Sequence, residues 1–485
     1  MGRRANKLSA VQQLIAASAG SGLIYIAYLV FIAFLPEHLG ERRLTIFSAL
    51  GRGYQALAIY LAAVGILFAL AVVAWRAARA GQGWRVQLWA LLPPIVFGGI
   101  LVLTIPLTSR DIFYYISSAR VLSVYGTNPY LAAPSAFPND PLFQYANWPD
   151  YTSPYGPLWL VVSATLTRLG AGDLFWSVVL FKMLAFVCYL LCGVLIWTIL
   201  RARGKDPLAG AVFWLWNPLA LLEFSGAGHN DVLMLVGLLL GLWLYLTGRV
   251  RLALAALTLA AMTKLVALIV MPLILWHHLA SRPGWLARGR EAARVLWLPA
   301  AIVVACLAPF WAGASTFGPV KESSHYYSSF AHVARIVLEW FLSPRLSGEI
   351  TRGGLLLILA VGYLLILWRT PGDSRSLLTG LTRAFFLLLI LWSFFVPWYC
   401  AWVVAVAAAL ASGRHNWRAL LLGAGATISY VFQFFLPLRM AASVELRSSL
   451  SAVLIFLPFL LTFVPWERLW RGQRGRGHLL APPRT

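Results

Sequence analysis

Acidic residues are scarce, with 16 Asp and Glu among 485 residues against 39 Lys and Arg. Charge of either sign makes up only 11% of the chain, where a soluble protein carries about 25%. That excludes an ordinary soluble globule with a charged shell. The apolar stretches lack alternation of apolar and polar residues, which excludes a barrel whose strands face lipid and lumen in turn. Only four cysteines occur, Cys188, Cys192, Cys306 and Cys400, all inside apolar runs. Cys188 and Cys192 stand i,i+4 on one helical face, a poor geometry for a disulfide. A metal site there would need further ligands nearby. All four read as small buried hydrophobes.

What is abundant is apolar sequence, at 60% of the chain. It comes in runs of about 17–25 residues, the length of a hydrocarbon-core crossing. Ala56–Trp75, Ala419–Leu436 and Ser449–Pro465 are examples, and Phe175–Trp197 is interrupted only by Lys182. The net charge of +23 would suit a nucleic-acid partner, but the basic residues sit in short loops between apolar runs. The positive-inside rule accounts for them. Membrane lipids are the expected surroundings, and nucleic acid is not an expected partner.

Lys and Arg orient the spans. Arg3, Arg4 and Lys7 place the N-terminus in the cytoplasm, followed by a retained anchor rather than a cleaved leader. Crossings are expected at Val11–Leu35, Gln55–Trp75, Leu88–Leu107, Leu174–Leu200, Leu208–Phe224 and Asp231–Leu246. Six more follow at Val295–Trp311, Leu355–Trp368, Arg383–Val396, Tyr399–Ala411, Leu420–Pro437 and Leu450–Pro465. Pro157–Leu169 is too short to cross, and a crossing there would put Arg201, Arg203 and Lys205 outside; it reads as an interfacial or re-entrant helix. Leu252–Trp276 has basic loops on both flanks and reads as a hairpin turning near Thr263-Lys264. The expected architecture is an all-α polytopic membrane protein of about 12 full transmembrane helices plus a re-entrant hairpin. It forms a single transmembrane domain over 1–485, with large extracytoplasmic loops at 108–156 and 312–353 and a basic cytoplasmic tail at 467–485.

Chemistry-bearing residues gather at the outer ends of helices. Ser109–Arg120 reads as a helix, with Asp111, Tyr114, Tyr115 and Ser118 on one face. Asp111 is either a general base for a sugar hydroxyl or a charge favoured by the helix dipole. The same loop holds Gly126–Tyr130, with Asn128, and Tyr151–Trp159, with Tyr155; its rings suit either sugar stacking or interfacial anchoring. The turn Gly226–Asp231 carries His229, Asn230 and Asp231, where Asp231 binds substrate, caps the next helix, or does both. Glu223 lies just inside the preceding span, as an inter-helix partner or a catalytic group. Lys264 at the hairpin tip is costly unless it faces a cavity or an anion. Trp398 and Tyr399 occupy another outer turn, as an interfacial belt or a lipid or sugar contact.

Together these residues resemble the GT-C superfamily of membrane glycosyltransferases, and within it the bacterial polyprenol-phosphate-mannose-dependent α-1,6-mannosyltransferases. The resemblance rests on Asp111 with Tyr114 and Tyr115, Gly126–Tyr130, Tyr155–Leu158, Asn217-Pro218 with Gly228–Asp231, Lys264, and Pro397–Tyr399. It implies a GT-C-like bundle with the outer loop as a lid beside a membrane-level cavity, and Asp111 as the base. It implies a hexose, mannose above others, passed from a polyprenyl-phosphate donor to a glycan or lipid-linked acceptor with inversion. The active site then lies on the extracytoplasmic side of a bacterial-type plasma membrane. Lys264, Arg110 and Arg120 are the candidates for the donor phosphate. Tyr114, Tyr115, Asn128, Tyr155, His229, Asn230, Asp231, Trp398 and Tyr399 are the candidates for substrate contact. Many superfamily members carry an acidic pair where Arg110 precedes Asp111 here, so no metal cofactor is expected. The alternative is a transporter or flippase of lipid-linked saccharides, which would need polar groups spread along a mid-membrane path.

Overall fold

The computed structural model describes residues 8–41, 45–51, 53–317, 326–439 and 443–463. The expected N-terminal charges at Arg3, Arg4 and Lys7 and the tail at 467–485 lie outside those residues, as does part of the loop at 312–353. Among the described residues every regular element is helical, and β contacts are limited to the isolated bridges Phe34–Thr104 and Tyr327–Phe394.

Nine of the described helices are long and apolar enough to cross a membrane. They are Ala10–Phe31, Tyr54–Ala80, Trp84–Val102, Leu174–Ala202, Trp285–Phe310, Pro344–Trp368, Ser374–Leu391, Gly413–Phe435 and Val444–Leu461. A tenth span exists if Pro207–Leu215 and Pro218–Gly226, bent by 52°, count as one. The expected straight run Leu208–Phe224 breaks there because Pro218 has no N–H to continue the ladder. The Asn217 side chain accepts instead from the Leu219 and Ala220 N–H groups at 3.1 and 3.4 Å.

The expected crossings at Asp231–Leu246 and Tyr399–Ala411 are shorter than a full span. Asp231–Leu246 has 16 residues and Cys400–Leu410 has 11, about 24 and 16 Å at 1.5 Å per residue. Burial explains why such short helices persist: every residue of Cys400–Leu410 is buried. The lipid-facing positions go to longer helices, and only 6% of the apolar window of Pro344–Trp368 is buried.

The bundle has two distinguishable ends. Asp231 and Lys264 meet at one, while Tyr245 and His277 meet at the other, 2.6 Å apart. Val250–Thr263 therefore climbs towards Asp231, the chain breaks at Lys264, and Met271–Ala280 descends again. Close packing aligns the ascent. A Cβ on Gly241 would meet Leu257 Cγ at 2.7 Å, and one on Gly237 would meet Ala260 Cβ at 2.9 Å, so Asp231–Leu246 and Val250–Thr263 lie nearly backbone to backbone. Pro157–Leu169 stays at the Asp231 end. It runs alongside Asp111–Ser123, with the Tyr114 and Tyr155 rings 6.4 Å apart near their starts and Ser123 Oγ 2.8 Å from Thr167 Oγ1 near their finish.

Candidate active site

Asp111 is delivered to its place by a pinned connection. The fully buried Lys182 on Leu174–Ala202 donates to the carbonyls of Leu101, at 2.8 Å, and Thr104. These carbonyls lie at the end of Trp84–Val102, where they lack partners within the helix. Ile105 N–H donates to Ala33 O at 2.7 Å. The chain then turns, and Ser109 Oγ accepts from the Asp111 N–H at 3.2 Å as Asp111–Ser123 begins. The Asp111 side chain keeps 24% of its surface exposed.

Behind Asp111 lies His229, with no exposure at all. Its Nδ1 is 3.8 Å from Asp111 Oδ2, and its Nε2 is 3.2 Å from Glu223 Oε2. The second contact is close in distance but poorly aligned for a hydrogen bond. Trp398 stacks on the imidazole with ring centroids 3.8 Å apart and planes 20° apart. Glu223 is buried on the π-helical turn Leu221–Gly226, and such turns recur at functional sites. Tyr430 donates to Glu223 Oε1 at 2.9 Å, and Thr108 to Oε2 at 3.4 Å. The outcome is a carboxylate–imidazole–carboxylate row running inward from an accessible acid.

The second cluster centres on Asp231, which is fully buried. Lys264 Nζ donates to both its oxygens, at 2.8 and 2.9 Å, and Trp402 Nε1 donates to Oδ1 at 2.8 Å. The ammonium also lies 4.8 Å from the Tyr399 ring centroid, which itself stacks on Trp402 at 4.2 Å. Cation–π attraction thus adds to the ion pair. Tyr115 and Tyr399 lie within electrostatic reach of both Asp111 and Asp231, so the two clusters border one region.

Aromatic residues of Asp111–Ser123 and of the loop that follows it close over this region. Tyr115 packs edge-on against Tyr155, at 5.3 Å, and Trp159, at 5.2 Å. Burial first, and then the Asp111 charge, push the Tyr115 phenol well above its usual range, so it remains a donor. Tyr114 donates to the carbonyls of Tyr151 and Thr152 at 3.2 and 3.0 Å, holding the loop down. Gly156 docks the loop on the hairpin: its N–H donates to Thr263 O at 3.1 Å, and a Cβ there would collide with the Met262 carbonyl.

The remaining candidates are placed elsewhere or otherwise engaged. Arg120 grips Asp140 through Nε, at 2.9 and 2.8 Å to its two oxygens. It stands nine residues along the helix from Asp111, about 13 Å. Arg110 lies 4.6 Å over the Phe113 ring and donates to Glu41 O at 3.2 Å. Asn128 spends its amide on Phe310 O, at 2.9 Å, and on Tyr130 N–H, at 3.0 Å. Asn230 is buried, and neither its Oδ1 nor its Nδ2 has a protein partner among the described residues. Tyr430, Thr108 and Trp402 had no part in the sequence-based site. Only Trp402 had a signal, one helical turn beyond Tyr399. Among the described residues no three His, Cys, Asp or Glu side chains converge as a metal site.

A family model described as alpha-(1->6)-mannopyranosyltransferase, N-terminal domain, matches residues 15–280, which include Asp111, Glu223, His229, Asp231 and Lys264. The chain belongs to this family. A second model, the MptB C-terminal domain, matches residues 328–438 and takes in Trp398, Tyr399 and Trp402. Alpha-(1->6)-mannopyranosyltransferase A of Mycobacterium tuberculosis is 28% identical over 364 residues, covering 70% of this chain and 67% of that protein. The protein of the same name from Corynebacterium glutamicum is 25% identical over 354 residues, covering 66% of this chain and 69% of its own length. Alpha-(1->6)-mannopyranosyltransferase B of the latter organism is 26% identical over 200 residues, 35% of this chain. No solved structure matches. Family membership makes the chain an integral membrane mannosyltransferase of the GT-C type.

The Asp231–Lys264 pair generates a stability prediction. Lys264→Met leaves a buried carboxylate with only the Trp402 donor, and breaking a buried pair from one side costs about 3–5 kcal/mol. Thermal melting of the purified protein should show a clear fall for Lys264→Met. The double variant Lys264→Met/Asp231→Asn should regain most of it. A single variant that melts with the wild type would show that the pair does not hold the hairpin tip.

Proposed function

We propose that this chain transfers mannose from a polyprenyl-phosphate donor to a hydroxyl of a glycan or lipid-linked acceptor, forming an α-(1→6) bond, with Asp111 as the base. The observation that carries this reading is the contrast among three neighbouring carboxylates. Asp231 and Glu223 are fully buried and already accept hydrogen bonds, while Asp111 is 24% exposed at the rim of the site. A base must reach the proton it removes.

Asp111 takes the proton of the acceptor hydroxyl as its oxygen attacks the anomeric carbon. The bond from that carbon to the phosphate oxygen breaks, and polyprenyl phosphate leaves with the electron pair. A single displacement of this kind inverts the anomeric carbon. Lys264, paired with Asp231 and set over the Tyr399 ring, offsets the charge that grows on the departing phosphate. His229 and Glu223 stand behind the base, where an imidazole between two carboxylates helps to accommodate the arriving proton. The unpartnered amide of Asn230 suits a sugar hydroxyl, since buried polar atoms are rarely left unsatisfied. Arg110 beside Asp111, in place of a second acid, disfavours a divalent cation at that position, and the step is written without one.

The same reading places Asp111 on the extracytoplasmic face. In this reading the nine long helices and the bent pair at Asn217-Pro218 cross the membrane, the short helices Asp231–Leu246 and Cys400–Leu410 carry the chain through two further passes, and Val250–Ala280 is the re-entrant hairpin. This arrangement leaves Arg201, Lys205, Arg249 and Arg288 on one side and Asp111 on the other, as the positive-inside rule requires.

Two experiments test these assignments. Purified protein supplied with radiolabelled polyprenyl-phosphate sugars and candidate acceptors should consume the mannosyl donor, and transfer from a nucleotide sugar alone would contradict the reading. A cysteine introduced at Asn139 should react with an impermeant thiol reagent added outside intact cells, and one at Gly204 should not. Labelling at Gly204 would reverse the orientation.

A further inference from the structure

At the end of the bundle away from Asp111, a cavity of about 240 Å³ opens between the foot of Pro344–Trp368 and the start of Ser374–Leu391. Arg369, Arg375 and Arg383 line it, together with Thr370, Ser376 and Thr379. Its position follows from Arg203, which donates to the carbonyls of Ala409 and Leu410 at the far end of Cys400–Leu410 and lies within electrostatic reach of Arg375. Arg414 and Arg418 add their charge from the neighbouring helix, since both act on His415 along with Arg375 and Arg383.

Asp373 is the one acid within electrostatic reach of Arg375 and Arg203 that the described residues show, against this concentration of guanidinium. Among the described residues none of Arg369, Arg375 and Arg383 forms an ion pair within 4.0 Å, unlike Arg120, Arg335 and Arg345. The nearby acid, Asp373, has its Oδ1 occupied by the Ser376 N–H, at 2.8 Å, and hydroxyl, at 2.9 Å. Planar guanidinium groups match the oxygens of a phosphate, while the Ser376 and Thr370 hydroxyls are already donating, to Asp373 Oδ1 and to Ile366 O.

The surface beside the cavity is apolar. Leu357, Leu364, Leu365 and Trp368 are 65%, 60%, 48% and 71% exposed along Pro344–Trp368, leading down to Arg369. A soluble anion would gain nothing from that strip. An amphiphile would lay acyl chains along it and set its head among the arginines, beside a tryptophan at the interfacial level.

We propose that this cavity is a binding site for the phosphate headgroup of an anionic phospholipid. The site is separate from the transfer chemistry and does not depend on the assignment of Asp111. It fastens the least buried helix of the bundle, Pro344–Trp368, to Ser374–Leu391 through a bound lipid.

Native mass spectrometry of the full-length protein, relipidated with phosphatidylglycerol and phosphatidylcholine, tests it. The wild type should retain phosphatidylglycerol selectively. Each basic residue near an anionic headgroup contributes about 1 kcal/mol. Arg375→Gln should therefore bind roughly 5-fold more weakly, and the triple variant Arg369→Gln/Arg375→Gln/Arg383→Gln roughly 100-fold. Mannosyl transfer by the triple variant, measured in the same detergent, confirms that it is folded; if it is not, Arg375→Gln alone decides. Retention equal to wild type in the folded variants would overturn the proposal. Displacement of the lipid by millimolar inorganic phosphate would also overturn it, by assigning the cavity to a free anion. Phosphatidylcholine bound as well as phosphatidylglycerol would do the same, by showing that the charge is not read.

Discussion

The buried ion pair between Asp231 and Lys264 organises the end of the bundle that carries Asp111. Each charge offsets the other's desolvation, which costs several kcal/mol per ion. Together they are satisfied, with Trp402 as a third donor to the carboxylate. Each contributor comes from a different segment: Asp231 from the turn after the bent helix pair, Lys264 from the hairpin tip, Trp402 from a wholly buried short helix. The hairpin tip also receives the 108–156 loop through Gly156 and Thr263. One interaction thus fixes the relative position of that loop, the hairpin and the turn that carries His229.

The same chemistry separates the roles of the acids. Asp231 is committed to Lys264, and Glu223 to Tyr430 and Thr108. Asp111 has the weakest protein partners of the three, a histidine nitrogen at 3.8 Å, and the only exposed side chain. An acid that is free to gain a proton must not be holding the structure together. Stacking by Trp398 keeps His229 from rotating away, so the row behind Asp111 is rigid.

Much of the architecture was legible because hydrophobic length and loop charge act locally. Pro157–Leu169 ends within the bounds expected from its flanking Gly and Pro residues, and Lys264 marks a helix break because a lysine there has no reason to continue into lipid. Helix length was less legible. Cys400–Leu410 is buried along its whole length and Asp231–Leu246 starts from a buried turn, features that no hydropathy window registers. The partners of buried polar groups were hidden for a related reason. Glu223 meets Tyr430 across 207 residues, and nothing near either residue announces the pairing. Arg120 looked available for phosphate because Asp140, 20 residues further on, sits in an irregular loop whose return path has no periodicity to read.

The claim on which the account stands is that Asp111, rather than Asp231, removes the acceptor proton. Single-turnover measurement of Asp111→Asn with saturating donor and acceptor tests it most directly, alongside donor binding and thermal melting of the same protein. Asparagine keeps the shape of the side chain and can still sit at the helix start, but it cannot accept the proton. Loss of a general base lowers the rate by about 10²–10⁴-fold. The account predicts a fall of that size with donor affinity and melting temperature preserved. Near-normal turnover by Asp111→Asn, with collapse confined to Asp231→Asn, would contradict it and move the base to the buried pair.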